Sequence, residues 1–379
     1  MASAGSGGDG PRHARETRKS HEMSGSHNAL DTMVARCRPI IGQTPTSDGF
    51  MTLAMPVIAH ETTPSTRDAG RGAADLHLRK LLERTSRQLR ALDLSCLDAS
   101  VDALDQLRRD VGPAEWTRLI AEVIAPHPVR AQLHEEPFTR RAFEKPRGYA
   151  GDAVMMDLAY RHRPYCVTLT RLGAALHAWA DQRPAPRSVV ERRTILAGEI
   201  DAMAARRVAP RVLAIACGHL REAQLSDAVQ AKAISEFVAL DQDAESLAVV
   251  EAEQSEFNVR VNRSSVGRFV KAGHELGSFD LVYTAGLYDY LNEDVATAVT
   301  TAMFRSLRPG GRLIVANFAP ELRDIGFMEA VMDWHLIYRD ESAVAKLADR
   351  IPSSEVAARS ITRDQMGNVV YMAIDRLGR

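Results

Sequence analysis

The chain has 379 residues, 45% hydrophobic and 26% charged, with 48 basic against 49 acidic side chains and a formal net charge of −1 at pH 7. This is the composition of an ordinary globular protein with room for two domains, and the near-neutral balance leaves no electrostatic footprint for nucleic acid or an anionic membrane surface. The four cysteines, Cys37, Cys96, Cys166 and Cys217, lie far apart without metal-ligand spacing or a disulfide framework, so no metal site is expected and a reducing, cytoplasmic setting is.

Residues 1–72 are rich in Gly, Ser, Thr, Pro and mixed charge without a sustained period, the pattern of a disordered tail. Met23, Met33 and Met51 each offer an internal start within it. The apolar stretch Met51 to Ala59 falls short of the ~20 residues that a membrane helix needs and lies too deep for a secretory signal. From Asp75 the pattern turns helical, with Leu78, Leu82, Leu89 and Leu92, then Val101, Leu104 and Leu107 after a turn-like SCLDAS. Gly112-Pro113 breaks the run, and a helix over Ala114 to Ile124 stops at Pro126 and Pro128. Val167 to Ala180 predicts another helix, and Ser188 is placed as the cap of one over VVERRTILAGEIDAMAARR. Residues 73–209 are therefore expected to form an all-helical module.

After Pro210 strands alternate with helices. Val212 to Cys217 reads as a strand leading to a helix over Arg221 to Ala231, and Ile234 to Leu240 as a strand ending in Asp241, followed by a helix over Ala244 to Gln254. Strands at Val259 to Asn262 and Asp280 to Thr284 come next, then Asn292 capping a helix from Glu293 to Leu307, a Pro309-Gly310-Gly311 turn, and a strand from Leu313 to Phe318. Val356 to Thr362 and Val369 to Ile374 flank a turn at Gly367-Asn368, predicting a closing antiparallel hairpin. The expected class is α/β, a mostly parallel sheet over residues 210–379 with helices on both faces.

In such a sheet ligands sit beyond the carboxyl ends of the strands, near the switch in strand order. That places Cys217-Gly218-His219, Asp241-Gln242, Ser264-Ser265 and Thr284-Ala285-Gly286 along one crevice. A carboxylate about twenty residues beyond a glycine turn can accept from both hydroxyls of a ribose, and Asp241 stands there. The further glycines that bring a backbone up to a pyrophosphate are missing, as is a P-loop lysine, so the expected ligand is a nucleoside without phosphates and a nicotinamide oxidoreductase is disfavoured. Singly, Gly218 is equally a tight strand-to-helix turn and Asp241 a helix cap; their combination with Pro-Gly-Gly carries the inference.

The order RVLAIACG, LDQD, FDLVYTAGLYDYL and LRPGGRLIVANF resembles a class I S-adenosylmethionine-dependent methyltransferase over about Arg211 to Arg376. The resemblance implies a Rossmann-like, seven-stranded fold with S-adenosylmethionine as cofactor. It implies cofactor contacts from Ala216, Cys217, Gly218, His219, Asp241, Gln242, Ser265, Val266, Thr284, Ala285 and Gly286, with Arg193 for the cofactor carboxylate. The first turn departs from the family's two or three glycines. A second set, KPRGYAGDAVMMDLAY with Glu191-Arg192-Arg193 and DWHLIYRD, is similar to bacterial small-metabolite methyltransferases. That group includes enzymes that make extracellular-factor and 3-hydroxy fatty acid methyl esters, and bacterial methionine S-methyltransferases look like relatives.

Arg147 to Asp152 places two glycines around Tyr149 between opposite charges and could fold over a ligand as a lid; the alternative is a turn in which Arg147 and Asp152 pair. Tyr288, Tyr290, Trp334 and Tyr338 offer aromatic faces to a sulfonium, and Arg339 suits a substrate carboxylate. Trp334 and Tyr338 are alternatively one stripe of a helix. Tyr288 and His335 are the candidates for a catalytic base, His335 also fitting a plain surface position, and Asp289 reads as a cap. Substrate contacts are thus expected from Arg147, Tyr149, Asp152, Tyr288, Tyr290, Trp334, Tyr338 and Arg339. The expected function is methyl transfer to a small, carboxylate-bearing metabolite, on a carboxylate oxygen or a methionine-like thioether, with no nucleic-acid or membrane partner. The rival is a non-catalytic regulatory protein that keeps the fold.

Overall fold

The computed structural model describes residues 66–161 and 169–378. The expected tail, its methionines and Cys37 lie outside the described residues up to residue 65, as do Cys166 and the start of the helix expected from Val167. The first helix, α1 (Thr66–Arg90), begins before Asp75, so its opening turns take in Thr66 to Gly72. It is followed by α2 (Leu97–Val111), α3 (Pro113–Leu119) running on as a π-helical turn (Ile120–Ile124), α4 (Pro128–Leu133) and α5 (Pro137–Glu144). Pro113, Pro128 and Pro137 each stand at a helix start, where the missing N–H costs no hydrogen bond. Next come α6 (Ala153–Ala159), α7 (Arg171–Ala180) and α8 (Pro184–Arg206). Ser188 does not cap α8: the helix starts at Pro184, and the Ser188 hydroxyl accepts from Asn368 Nδ2 (3.0 Å) at the hairpin turn.

The sheet holds seven strands, β1 (Arg211–Ile215), β2 (Glu236–Asp241), β3 (Val259–Arg263), β4 (Phe279–Thr284), β5 (Leu307–Phe318), β6 (Val356–Arg363) and β7 (Val369–Arg376), in the order β3-β2-β1-β4-β5-β7-β6. The first five are parallel and β7 is antiparallel to both neighbours. This is the expected Rossmann-like sheet with its reversed hairpin. The order turns back between β1 and β4, and the crevice opens there.

Two local expectations change. The helix expected over Arg221 to Ala231 is mostly turns, with only α9 (Asp227–Gln230) helical, because the Arg221 side chain is drawn into a buried ion pair. The Pro309-Gly310-Gly311 turn is folded into β5 as an irregularity: Phe279 pairs with Leu307, and Leu281 next with Arg312. Gly310 has φ +73°, and a Cβ on Gly311 would stand 3.0 Å from the Arg308 and Asp280 carbonyl oxygens, so both positions need glycine.

Helices α10 (Ala244–Gln254), α11 (Val266–Ala272), α12 (Glu293–Arg305), α13 (Ile325–Met332) and α14 (Glu341–Lys346) complete the chain. One hydrophobic cluster runs from Leu78 and Leu89 of α1 through Leu196 of α8 to Val212, Leu281, Met328 and Tyr371. The helical region and the sheet thus share a core, which holds the α8 and α6 side chains over the crevice.

Candidate active site

The crevice begins where β1 ends at Ile215. Ala216, Gly218 and Leu220 have φ of +52°, +54° and +52°; for Ala216 and Leu220 the left-handed backbone costs about 1–2 kcal/mol each. The tight turn this makes aims the Gly218 N–H at Asp241 Oδ2 (2.9 Å), while Asp243 N–H reaches Oδ1 (2.9 Å). A carboxylate has about four lone-pair positions, so Asp241 retains acceptor capacity toward the crevice. Burial raises its pKa, against the backbone bonds from Asp243 and Gly218. Gln242 is exposed beside it, Ser265 caps α11 through Arg268 N–H (3.2 Å) with Val266 opening that helix, and Ala285 and Gly286 follow β4. Thr284 is buried with its Oγ1 lacking a hydrogen-bond partner. Cys217 is partly buried, its thiol pushed well up by burial and then by Asp241 and Glu222.

Residues 145–153 form the roof. Arg147 bonds Asp243 Oδ2 (2.8 Å), Ser246 Oγ (2.8 Å) and Glu245 Oε2 (3.2 Å), Lys145 pairs with Asp333, and Ala153 Cβ lies 3.2 Å from where a Gly218 Cβ would stand. Arg147 and Asp152 do not pair with each other. Asp152 is fully buried, caps α6 through Met155 N–H (2.8 Å) and takes a fork from Arg141, so it is a structural anchor rather than a substrate ligand. Gly151 presses on Tyr290 Oη and Trp334, which leave no room for a side chain. Tyr149 meets the Tyr290 ring edge-on at 6.3 Å, and its pKa is raised by burial and then by Asp241. The His219 ring turns away from the crevice: Nδ1 bonds Asp157 Oδ2 (2.7 Å), which also accepts from Arg221 Nη2 (2.7 Å), joining α6 to the first turn.

Several acceptor-side expectations are corrected. Tyr288 is fully buried, its hydroxyl bonded to Thr300 Oγ1 (2.6 Å) on α12 and so removed from any proton transfer. His335 is 60% exposed and pairs with Asp333 (3.2 Å) on the surface. Arg339 spends its guanidinium on Tyr288 O (2.8 Å), Asn317 Oδ1 (2.7 Å) and Leu291 O (2.5 Å) and has no fork left for a substrate. Trp334 and Tyr338 are not on a helix, because Asp333 at φ +47° ends α13 and residues 333–340 run without regular structure. Trp334 Nε1 donates to Tyr290 Oη (2.9 Å), and the buried Tyr338 hydroxyl has no partner. Arg193 stacks on Tyr160, its Cζ 4.5 Å from the ring centroid, with Nε buried and unpaired.

Four further groups meet here. Arg192 is 6% exposed, its Nη2 3.9 Å from Met156 Sδ and its guanidinium 3.6–3.9 Å from where a Gly286 Cβ would stand. Burial opposes its charge, and Tyr160, Tyr371 and Asp289 more than offset that. Glu222 accepts from Tyr283 Oη (2.6 Å), and its pKa is raised by burial. Asp289, 3% exposed, accepts from Phe318 N–H (2.7 Å). Burial pushes its carboxyl up to about 6, against that hydrogen bond and against Arg192 and Arg339. Tyr371 on β7 has a buried, unpaired hydroxyl. The Glu191-Arg192-Arg193 run signalled the first of these; Glu222 was hidden in a segment read as helix, and Tyr371 in a strand read only as closing the sheet.

Residues 212–311 match the family model described as a methyltransferase domain. No curated protein matches the chain. Among solved structures the chain is similar to a possible exported protein from Bordetella parapertussis, at 14% identity and TM-score 0.51, covering 71% of this chain and 100% of that one. It is also similar to the N-methyltransferase NodS from Bradyrhizobium japonicum in complex with S-adenosyl-L-homocysteine, at 16% identity and TM-score 0.37, covering 52% of this chain and 90% of that one. Magnesium protoporphyrin IX methyltransferase from Synechocystis PCC 6803 is similar at 12% identity and TM-score 0.39, covering 51% and 86%. The domain match together with the sheet order defines the class of protein, an S-adenosylmethionine-dependent methyltransferase. S-adenosylmethionine is its cofactor. The crevice fits that group, since Asp241 keeps free acceptor capacity while Thr284 Oγ1 and Arg193 Nε are buried without partners. Among the described residues no His/Cys/Asp/Glu group could hold a metal ion, and no helix is long and apolar enough to cross a membrane.

Proposed function

We propose that the protein transfers a methyl group to a small, carboxylate-bearing metabolite enclosed between the strand ends and the roof formed by residues 145–153. The observation that carries this reading is the buried cation beside Gly286: the hydrogen-bonding neighbours of Arg192 are the neutral Tyr160 hydroxyl and Met156 Sδ, Asp289 acts on it without forming an ion pair, and no carboxylate of the described residues bonds to it. Asp241 would hold the ribose hydroxyls, with Gln242, Ser265 and Val266 beside the base and Ala216 to Gly218, Thr284 to Gly286 and Arg193 around the amino acid part. The cofactor supplies an electrophilic methyl carbon on a sulfonium. The acceptor's lone pair forms the new bond to that carbon as the carbon–sulfur bond breaks, the sulfur keeping the electron pair.

The protein's share of the work is to hold the acceptor at near-attack distance and to exclude water. Tyr149, Tyr290 and Trp334 line the approach under the roof, and their faces favour a positive sulfur. Residues 73–209 supply the roof and the Arg192 side of the pocket, so this helical region acts as the substrate module. The cofactor is an intracellular metabolite, and we place the reaction in the cytoplasm.

Asp241→Ala removes charged acceptors worth about 2–3 kcal/mol, so cofactor affinity falls roughly 30- to 150-fold; calorimetry with unchanged affinity would take Asp241 out of the site. Incubation with labelled cofactor and a panel of hydroxy acids, amino acids and thioethers, read by mass spectrometry, is expected to give a methylated small acid. Cofactor binding with no product across the panel would favour the non-catalytic regulator.

A further inference from the structure

The crevice has two ends. Gly218 on β1 and Asp241 on β2 mark the end assigned to the cofactor. Thr284 on β4, beside the amino acid part, pairs with Val315, and the next residue of β5, Ala316, pairs with Tyr371 on β7 at the other end. Tyr371 therefore stands level with the strand ends, three strand spacings from β1, or about 14 Å. It is 5% exposed, and its hydroxyl is buried with no hydrogen-bond partner. Helix α8 lies against the β6–β7 hairpin, where Ser188 accepts from Asn368 Nδ2 (3.0 Å) and Glu191 accepts from Gln365 N–H (3.0 Å), and Arg192, the next residue of α8, is the charge that acts most strongly on the Tyr371 hydroxyl. Arg192 in turn is held beside Gly286, whose missing side chain leaves the guanidinium open to the crevice.

The Arg192 guanidinium forms no ion pair with a carboxylate of the described residues and the Tyr371 phenol has no hydrogen-bond partner; both are more than nine-tenths buried, and donors left over in such a place cost stability unless a ligand satisfies them. A guanidinium presents a planar fork of donors, which matches a carboxylate, and a phenol adds one more donor. Resting on the methyl-transfer reading above, we infer that Arg192 and the Tyr371 hydroxyl form the subsite that grips the acceptor's carboxylate, so that the methyl group goes to a different atom of the same molecule. A carboxylate whose lone pairs are engaged by a guanidinium in a low-dielectric pocket is a poor nucleophile. Of the two acceptor chemistries expected from the sequence, this excludes ester formation at the gripped carboxylate.

The test uses the full chain saturated with S-adenosylhomocysteine and titrated with butyrate as the probe, followed by calorimetry. The wild type is expected to bind butyrate saturably at one site. Arg192→Gln weakens that binding by about tenfold or more, reflecting the loss of a charge-assisted fork, and Tyr371→Phe weakens it about fivefold, reflecting one neutral hydrogen bond. Affinity for S-adenosylhomocysteine stays unchanged in both. Tyr371→Phe removes a hydroxyl that bonds nothing, so its fold is intact and a structural role alone would leave butyrate binding unmoved; it decides the matter if Arg192→Gln does not fold. Absence of saturable butyrate binding, an unchanged affinity in Tyr371→Phe, a parallel loss of S-adenosylhomocysteine affinity in Arg192→Gln, or a methyl-ester product would each overturn the inference. A wild type that fails to bind S-adenosylhomocysteine would instead sink the methyl-transfer reading, and this subsite with it.

Discussion

Asp289 shows how burial decides the behaviour of a single group. It lies near Arg192 and Arg339, yet desolvation outweighs both and moves its pKa from 3.8 to about 6. A carboxyl raised in the fold binds more protons folded than unfolded between those values, so its contribution is fully present below 3.8 and is lost as pH rises through about 6. Two units correspond to about 3 kcal/mol. Asp289→Asn keeps an acceptor for Phe318 N–H and removes this loss, so urea unfolding should find the variant more stable than wild type near neutral pH by up to about 3 kcal/mol, with the gap closing toward pH 4. Arg339 and His335 differ in the same terms. Arg339→Met strands the Tyr288 and Leu291 carbonyls and Asn317, which costs about 2–4 kcal/mol of stability. His335→Ala, on an exposed side chain, should leave both turnover and melting temperature unchanged.

At the scale of elements, the joint between α6 and the first turn matters most. Asp157 is fully buried and accepts from His219 Nδ1, Arg221 Nε and Arg221 Nη2; burial raises its pKa, but these partners prevail and hold it below the usual carboxylate range. Asp157→Ala takes the buried Arg221 guanidinium's main carboxylate partner and leaves it the bond to Glu253, and breaking such a pair costs about 3–5 kcal/mol. Because α6 also carries Ala153 against Gly218, the expected outcome is a lower melting temperature together with weaker cofactor binding by calorimetry. The crossing of α13 over α2 is as tight: a Cβ on Gly326 would stand 2.5 Å from Asp105 N. Gly326→Ala should therefore destabilise by about 1–3 kcal/mol, measured by denaturant unfolding. Periodicity could not show either joint, since the segment from Arg221 carries a helical pattern that a buried ion pair overrides.

For the whole molecule, the shared cluster from Leu78 to Tyr371 argues for one cooperative unit. Trp116 and Trp179 report on the helical region and Trp334 on the roof, while far-UV circular dichroism reports on the sheet and helices together. Thermal transitions followed by tryptophan fluorescence and by circular dichroism should coincide; two separated transitions would show that residues 73–209 fold on their own. The alternation of strands and helices after Pro210, the reversed hairpin at Gly367-Asn368, and the pairing of a lone glycine turn with Asp241 were all legible in the sequence. Each depends on burial patterns and turn preferences that act over a few residues. Which polar groups share the crevice was decided only by the tertiary structure. Arg192 and Arg193 are neighbours in the chain, but a helix turns about 100° per residue, so one guanidinium lies beside Gly286 while the other stacks on the face of the Tyr160 ring. Arg339 looked free until residues 288, 291 and 317 converged on it. Hydrophobic pattern is a local property of the chain, whereas the partner of a buried charge is set by whichever distant segment the core brings beside it.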